Sequence, residues 1–153
     1  MSNRKELLCS EIKITHETIL IDDLKNQIGT GEGKKYTNEQ LNGLLTKTGE
    51  EVKLFRVMCE AEYNSLVNNN RFITYDNALE IKWFASCYTD VEKWRDCFKK
   101  IYPENFDFVI LEVILLKEAL KYMFFADNLD AIGYAYSADS DLLNKIIRRW
   151  QLV

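Results

Sequence analysis

Residues Phe106 to Leu116 (Phe-Asp-Phe-Val-Ile-Leu-Glu-Val-Ile-Leu-Leu) make a nearly continuous apolar run rich in β-branched side chains. Such a run is the strongest strand signal in the chain. A carboxylate, Glu112, lies inside it. A second apolar segment, Val52 to Met58, carries a guanidinium, Arg56, among Leu54, Phe55, Val57 and Met58. A charge inside an apolar strand is costly unless it meets an opposite charge or an anionic ligand. Arg56 and Glu112 are therefore the residues around which the rest is read.

The remaining pattern predicts strands alternating with short helices. A helix begins near Glu60 and ends in the Asn68-Asn69-Asn70 run. Tyr75 to Ile81 reads as a loop, followed by a strand from Lys82 to Cys87. Thr89 is the expected cap of a helix from Asp90 to Ile101, with Asp90 and Glu92 at its positive end. Tyr102-Pro103-Glu104-Asn105 breaks that helix. After Leu116 a short helix or turn is expected, then a strand or loop from Asp130 to Tyr136 and a final helix from Asp141 to Trp150. This order predicts an α+β fold with a mixed, mainly antiparallel sheet and short flanking helices over residues 51–153.

Residues 1–50 differ in character and are expected to form an N-terminal arm or small helical extension. Glu11 to Ile21 partly alternates apolar and polar residues, which suits an extended segment. Gly29 to Lys35 is a linker; it has glycines and lysines but not the Gly-x-x-x-x-Gly-Lys-Ser/Thr spacing of a phosphate loop. Thr37-Asn38-Glu39-Gln40 opens a short helix with the capping-box pattern, and Gly49 closes the segment.

Composition narrows the function. With 153 residues and 47% apolar side chains the chain can bury one sizeable core. A net charge of -4 argues against nucleic acid and anionic membranes as partners. No apolar run approaches the roughly 18 residues of a membrane span, and the first residues lack the apolar core of a secretory signal. A cytoplasmic location is the expectation. Cys9, Cys59, Cys87 and Cys97 form no Cys-x-x-Cys pair, and His16 stands alone, so no metal site and no disulfide framework are expected. Cys59, Cys87 and Cys97 read as small apolar residues.

Several side chains could carry chemistry. The fork of Arg56 suits bidentate contact with a phosphate or ribose, or it pairs internally with Glu112. Alternation places Phe84 and Ser86 on one strand face and Trp83 with Cys87 on the other. Ser86 then ends its strand beside a helix N-terminus, with Tyr88 following. Glu112 either faces a cleft or neutralises Arg56 or Lys82. No Ser–His–acid constellation is available, because His16 lies far from any matching group.

Three segments in order carry a resemblance: Leu54-Phe55-Arg56-Val57-Met58-Cys59-Glu60-Ala61-Glu62-Tyr63, then Leu79-Glu80-Ile81-Lys82-Trp83-Phe84-Ala85-Ser86, then Asn128 to Ala135. Together they resemble the small mono-ADP-ribosyltransferase-like C-terminal toxin domains of bacterial polymorphic (Rhs-type) toxins, over about residues 52–145. The resemblance implies an ADP-ribosyltransferase-like fold and an enzyme that cleaves the nicotinamide–ribose bond of NAD and transfers ADP-ribose to a protein acceptor. It implies Arg56, Ser86 and Glu112 as catalytic residues, and Arg56, Lys82, Trp83, Phe84, Ser86 and Tyr88 as the NAD contacts. NAD is then the co-substrate, and a cognate immunity protein a further partner. The Glu-x-Glu pair of arginine-modifying members is not found late in the chain; Glu60-Ala61-Glu62 lies too early. A second expectation is thus an inactive relative that serves as a nucleotide- or protein-binding module.

Overall fold

The computed structural model of the protein describes residues 33–73, 81–103 and 107–153. The extended segment expected at Glu11–Ile21, most of the loop expected from Tyr75 and the Glu104-Asn105 part of the expected break lie outside these residues. Along the chain the elements are α1 (Asn38–Leu41), β1 (Glu51–Cys59), α2 (Glu60–Asn69), β2 (Ile81–Ala85), α3 (Tyr88–Ile101), β3 (Phe108–Leu116), a 3₁₀ helix (Lys117–Tyr122), β4 (Phe124–Leu129), β5 (Gly133–Asp139), α4 (Ser140–Ile146) and β6 (Ile147–Leu152). The strands form a six-stranded open sheet in the order β4-β5-β2-β1-β3-β6. Every paired neighbour is antiparallel. The fold is α+β.

β1 and β3 read as continuous apolar runs because both of their faces are covered. On one face Leu54, Met58, Leu111, Val113 and Leu115 join Phe84 and Tyr136 beneath Leu66 of α2, Leu142, Leu143 and Ile146 of α4, and Leu120. On the other face Phe55, Val57, Ile110, Ala85 and Ala135 pack against Val91, Trp94 and Cys97 of α3. The sheet is thus sandwiched, and among the described residues α3 is the helix that covers the second face. Leu41 and Leu44 belong to the first core, so the described part of the expected N-terminal extension packs with the sheet.

Local chemistry sets the element ends. Thr37 Oγ1 accepts from the Gln40 backbone N–H (3.2 Å) and Gln40 Oε1 accepts from the Thr37 N–H (2.9 Å), closing the capping box. α2 stops at Asn70, whose φ of 52° is left-handed, a conformation asparagine tolerates better than most residues. Asn144 on α4 accepts from the Phe72 N–H (2.7 Å) and donates to the Phe72 carbonyl (2.8 Å), tying the chain after α2 to the far end of the fold.

Four expectations are corrected. The cap of α3 is Cys87, whose backbone is extended, and Thr89 lies within the first turn. The segment Asp141–Trp150 is not one helix: it turns at Ile147 into β6, where Trp150 pairs with Val113 of β3. The open edge of β3 takes residues 147–152 as a strand where the sequence predicts more helix. β4, which the sequence reading omitted, pairs with β5 across a turn in which Asp130 and Ala131 take positive φ. Cys97 is disulfide-bonded, so it is more than apolar filling.

Candidate functional site

Register decides what Arg56 and Glu112 can do together. Phe55 lies directly opposite Glu112, and Arg56 opposite Leu111. Directly opposed residues share a face and adjacent ones do not. Arg56 therefore projects to the face of Leu111 and Phe84, and Glu112 to the face of Phe55 and α3. The expected convergence of guanidinium and carboxylate on one pocket is overturned. The sheet stands between them.

On its own face Arg56 is held by Glu62. The Arg56 Nε–H donates to Glu62 Oε2 (2.8 Å) and Nη2 to Oε1 (3.0 Å), a two-pronged contact that matches fork to carboxylate. A third donor, Nη1, reaches the Trp83 carbonyl (3.1 Å). The guanidinium carbon stands 6.0 Å from the centre of the Phe84 ring. Lys82, only 1% exposed, brings its Nζ within 3.7 Å of Glu62 Oε2. Burial pushes the Glu62 carboxyl up, but Arg56 and then Lys82 outweigh it and hold it below its ordinary 4.5.

Glu62 belongs to the Glu60-Ala61-Glu62 pair that lies too early for the Glu-x-Glu of the resemblance, and it is not among the expected site residues. The signal was the absence of any loop between β1 and α2. Cys59 is both the last residue of β1 and the cap of α2, so a carboxylate in the first helical turn folds back over the strand it follows.

Glu112, 5% exposed, is satisfied elsewhere. Gln151 Nε2 on β6 donates to its Oε2 (2.8 Å), and Lys53 Nζ lies 3.7 Å from Oε1. Its neutralisation by Arg56 or Lys82, also expected, is not what the fold uses.

The remaining site residues separate. Phe84 is fully buried in the first core, edge-on to Phe72 at 6.5 Å, and offers no platform to a ligand. Trp83 faces the other way, with its ring at right angles to Phe124 and centroids 5.8 Å apart. Ser86 lies just past the end of β2, where its N–H donates to the Tyr134 carbonyl (3.3 Å). Tyr88 opens α3 and meets Phe55 edge-on at 5.9 Å. The structure thus brings together Arg56, Lys82 and Phe84 and leaves Trp83, Tyr88 and Glu112 on the opposite face.

One recess borders the ion-paired group. It is lined by Met58, Glu62, Leu66, Arg71, Phe72 and Lys82 among others, and measures about 220 Å³ with its opening to solvent. Ligand sites run roughly 300–1,000 Å³, and the enclosed part here admits about one water molecule. It is too small for a dinucleotide. Among the described residues no cluster of His, Cys, Asp and Glu could hold a metal ion, and no helix is long and apolar enough to cross a membrane. No family model, curated protein or solved structure matches the chain.

Proposed function

We propose that this chain is a protein-binding module, similar in sequence to ADP-ribosyltransferase-like toxin domains, in which the charged residues of the strands serve the fold. The observation that carries this reading is the back-to-back placement of Arg56 and Glu112, each engaged by internal partners. Transferase chemistry needs a carboxylate where positive charge develops on the ribose, beside the group that grips the dinucleotide. Titration calorimetry with NAD, joined to transfer of labelled ADP-ribose in lysate, tests it. No NAD turnover is expected. Label transfer that is lost in Glu112→Gln would overturn the reading.

One observation favours a second reading, an NAD-dependent mono-ADP-ribosyltransferase acting on a protein. Arg56, Lys82 and Glu62 form one ion-paired group, of which Glu62 and Lys82 line a recess. In that case Glu62, rather than Glu112, supplies the carboxylate, and the recess must open to admit NAD. NAD turnover abolished by Glu62→Gln but retained in Glu112→Gln is its signature.

A further inference from the structure

We propose that residues 34–50 form a strap that undocks from the rest of the fold as a unit, and that Arg148 is its latch. The device is independent of the binding-module reading and of the transferase reading alike.

Arg148 is placed by an irregularity of the sheet. Ile147 lies opposite Leu115 and Arg149 opposite Ile114, so Arg148 is the extra residue of a bulge in β6. A bulge breaks the alternation of its strand and re-aims the side chain it carries. Here the guanidinium is turned onto the chain around the start of β1. Its Nε donates to the Leu44 carbonyl (3.0 Å), Nη2 to the Lys47 carbonyl and Nη1 to Glu51 Oε2 (2.9 Å). Arg149 also reaches Glu51, at 2.8 Å, so the two carbonyls are the contacts particular to Arg148. They belong to a turn. Gly43 takes a φ of 88°, which glycine adopts at no steric cost, and its carbonyl accepts from the N–H groups of Thr46 (3.0 Å) and Lys47 (2.6 Å). The turn holds both carbonyls within reach of one planar fork, which the single ammonium of a lysine does not reproduce.

The other fastenings of the segment are side chains and single backbone bonds. Leu41 and Leu44 enter the first core. The Lys34 N–H donates to the Lys121 carbonyl (2.7 Å), and the Glu50 carbonyl accepts from the Lys117 N–H (2.8 Å). Tyr36 stands edge-on to Tyr122 at 5.8 Å. Lys47 Nζ meets Glu118 Oε1 at 3.0 Å, and Lys145 Nζ donates to Asn38 Oδ1 (3.3 Å). These polar and aromatic partners belong to the 3₁₀ helix and to α4, not to the strand ladders. β1, by contrast, is paired with β3 along its whole length. A piece held by a few such contacts opens at a lower free energy than the ladder it adjoins. Arg148 gathers much of that hold into one residue, and its removal takes a charged donor from two carbonyls at once. Undocking lifts Tyr36 from Tyr122 and withdraws Leu41 and Leu44 from the core.

Native-state amide hydrogen exchange on the full chain tests this, with Leu44, Thr46 and Lys47 reporting on the strap and the amides of β1 and β3 on the sheet. In the native chain the strap amides are expected to exchange through an opening well below that of the sheet. Arg148→Met is expected to speed them at least about tenfold and to leave β1 and β3 unchanged. Arg148→Lys, which keeps the charge and loses the fork, is expected to recover only part of the protection. A common opening of strap and sheet in the native chain overturns the proposal, because the segment is then part of one cooperative unit. Strap amides that Arg148→Met leaves unmoved overturn it as well, and so does full recovery by Arg148→Lys. Should Arg148→Met fail to fold, the native chain still decides whether the strap opens separately, and Arg148→Lys against the native chain decides whether the fork latches it.

Discussion

Phe55 and Glu112 face each other across β1 and β3, and that single pairing sends Arg56, one residue on, through to the other side of the sheet. The two charges of the central strands are thereby insulated from one another. A double-mutant cycle reads this directly. Arg56→Met and Glu112→Gln are expected to add to within about 0.5 kcal/mol in unfolding free energy, as uncoupled sites do. Arg56→Met with Glu62→Gln is expected to deviate from additivity by roughly 1–3 kcal/mol. Strong coupling between Arg56 and Glu112 would contradict the register.

Glu62 is the hinge of the charged group, since it meets a cation from β1 and another from β2. Removing its charge leaves Arg56 and Lys82 close together and partly desolvated, so Glu62→Gln is expected to cost roughly 3 kcal/mol. The same group gives an acid signature. Its folded-state pKa is held below the ordinary 4.5. Its contribution is therefore complete above 4.5 and disappears as pH falls through the lower folded value. Denaturant midpoints measured on descending pH should fall more steeply for the native chain than for Glu62→Gln in that window. Parallel profiles would show that Glu62 does not hold the cluster.

Much of the fold was legible because local and tertiary demands agree. β1, α2 and β3 announce themselves through apolar runs and an asparagine stop, and the Thr37–Gln40 box forms as its spacing requires. The end of the chain was not legible. Residues 141–150 continue a helical pattern, and what converts Ile147 onward into β6 is the free edge of β3, which no local signal encodes. The candidate site failed for a related reason. Alternation fixes faces within one strand, but the relative facing of Arg56 and Glu112 depends on register between two strands, and a one-residue slip reverses it. Glu62 is passed over because Glu60-Ala61-Glu62 comes too early for the resemblance, and its position on the helix that folds back over β1 depends on the missing loop between the two elements.

Gly33 makes a prediction about how the described N-terminal segment is seated. A Cβ at this position would lie 2.3 Å from the Tyr122 carbonyl oxygen and 2.8 Å from that of Met123, both of them backbone atoms that cannot swing aside. The close approach lets the Lys34 N–H donate to the Lys121 carbonyl (2.7 Å) and sets Tyr36 edge-on to Tyr122 at 5.8 Å. Gly33→Ala is expected to lower stability by roughly 1–3 kcal/mol, as overpacking does. Gly49→Ala is the control, because its Cβ meets the Leu116 methyl groups, Cδ2 at 3.1 Å and Cδ1 at 4.0 Å, the end of a side chain. Thermal unfolding of both variants should rank Gly33→Ala clearly below Gly49→Ala.

The free thiols of Cys59 and Cys87 should differ in reactivity for a reason the fold supplies. Cys59 is exposed at the junction of β1 and α2, whereas Cys87 is half-buried as the cap of α3. A helix N-terminus ordinarily favours a thiolate. Here burial pushes the Cys87 thiol above its ordinary 9.0; the Asp90 backbone N–H pulls it back in part, and the Asp90 carboxylate adds to the rise. Because the thiolate is the attacking species, Cys87 should lag Cys59 by about an order of magnitude in alkylation by iodoacetamide near pH 8. Peptide mapping over time resolves the two sites. Asp90→Asn should speed Cys87 while leaving Cys59 unchanged, and faster labelling of Cys87 in the native chain would mean that the helix terminus prevails over burial and charge.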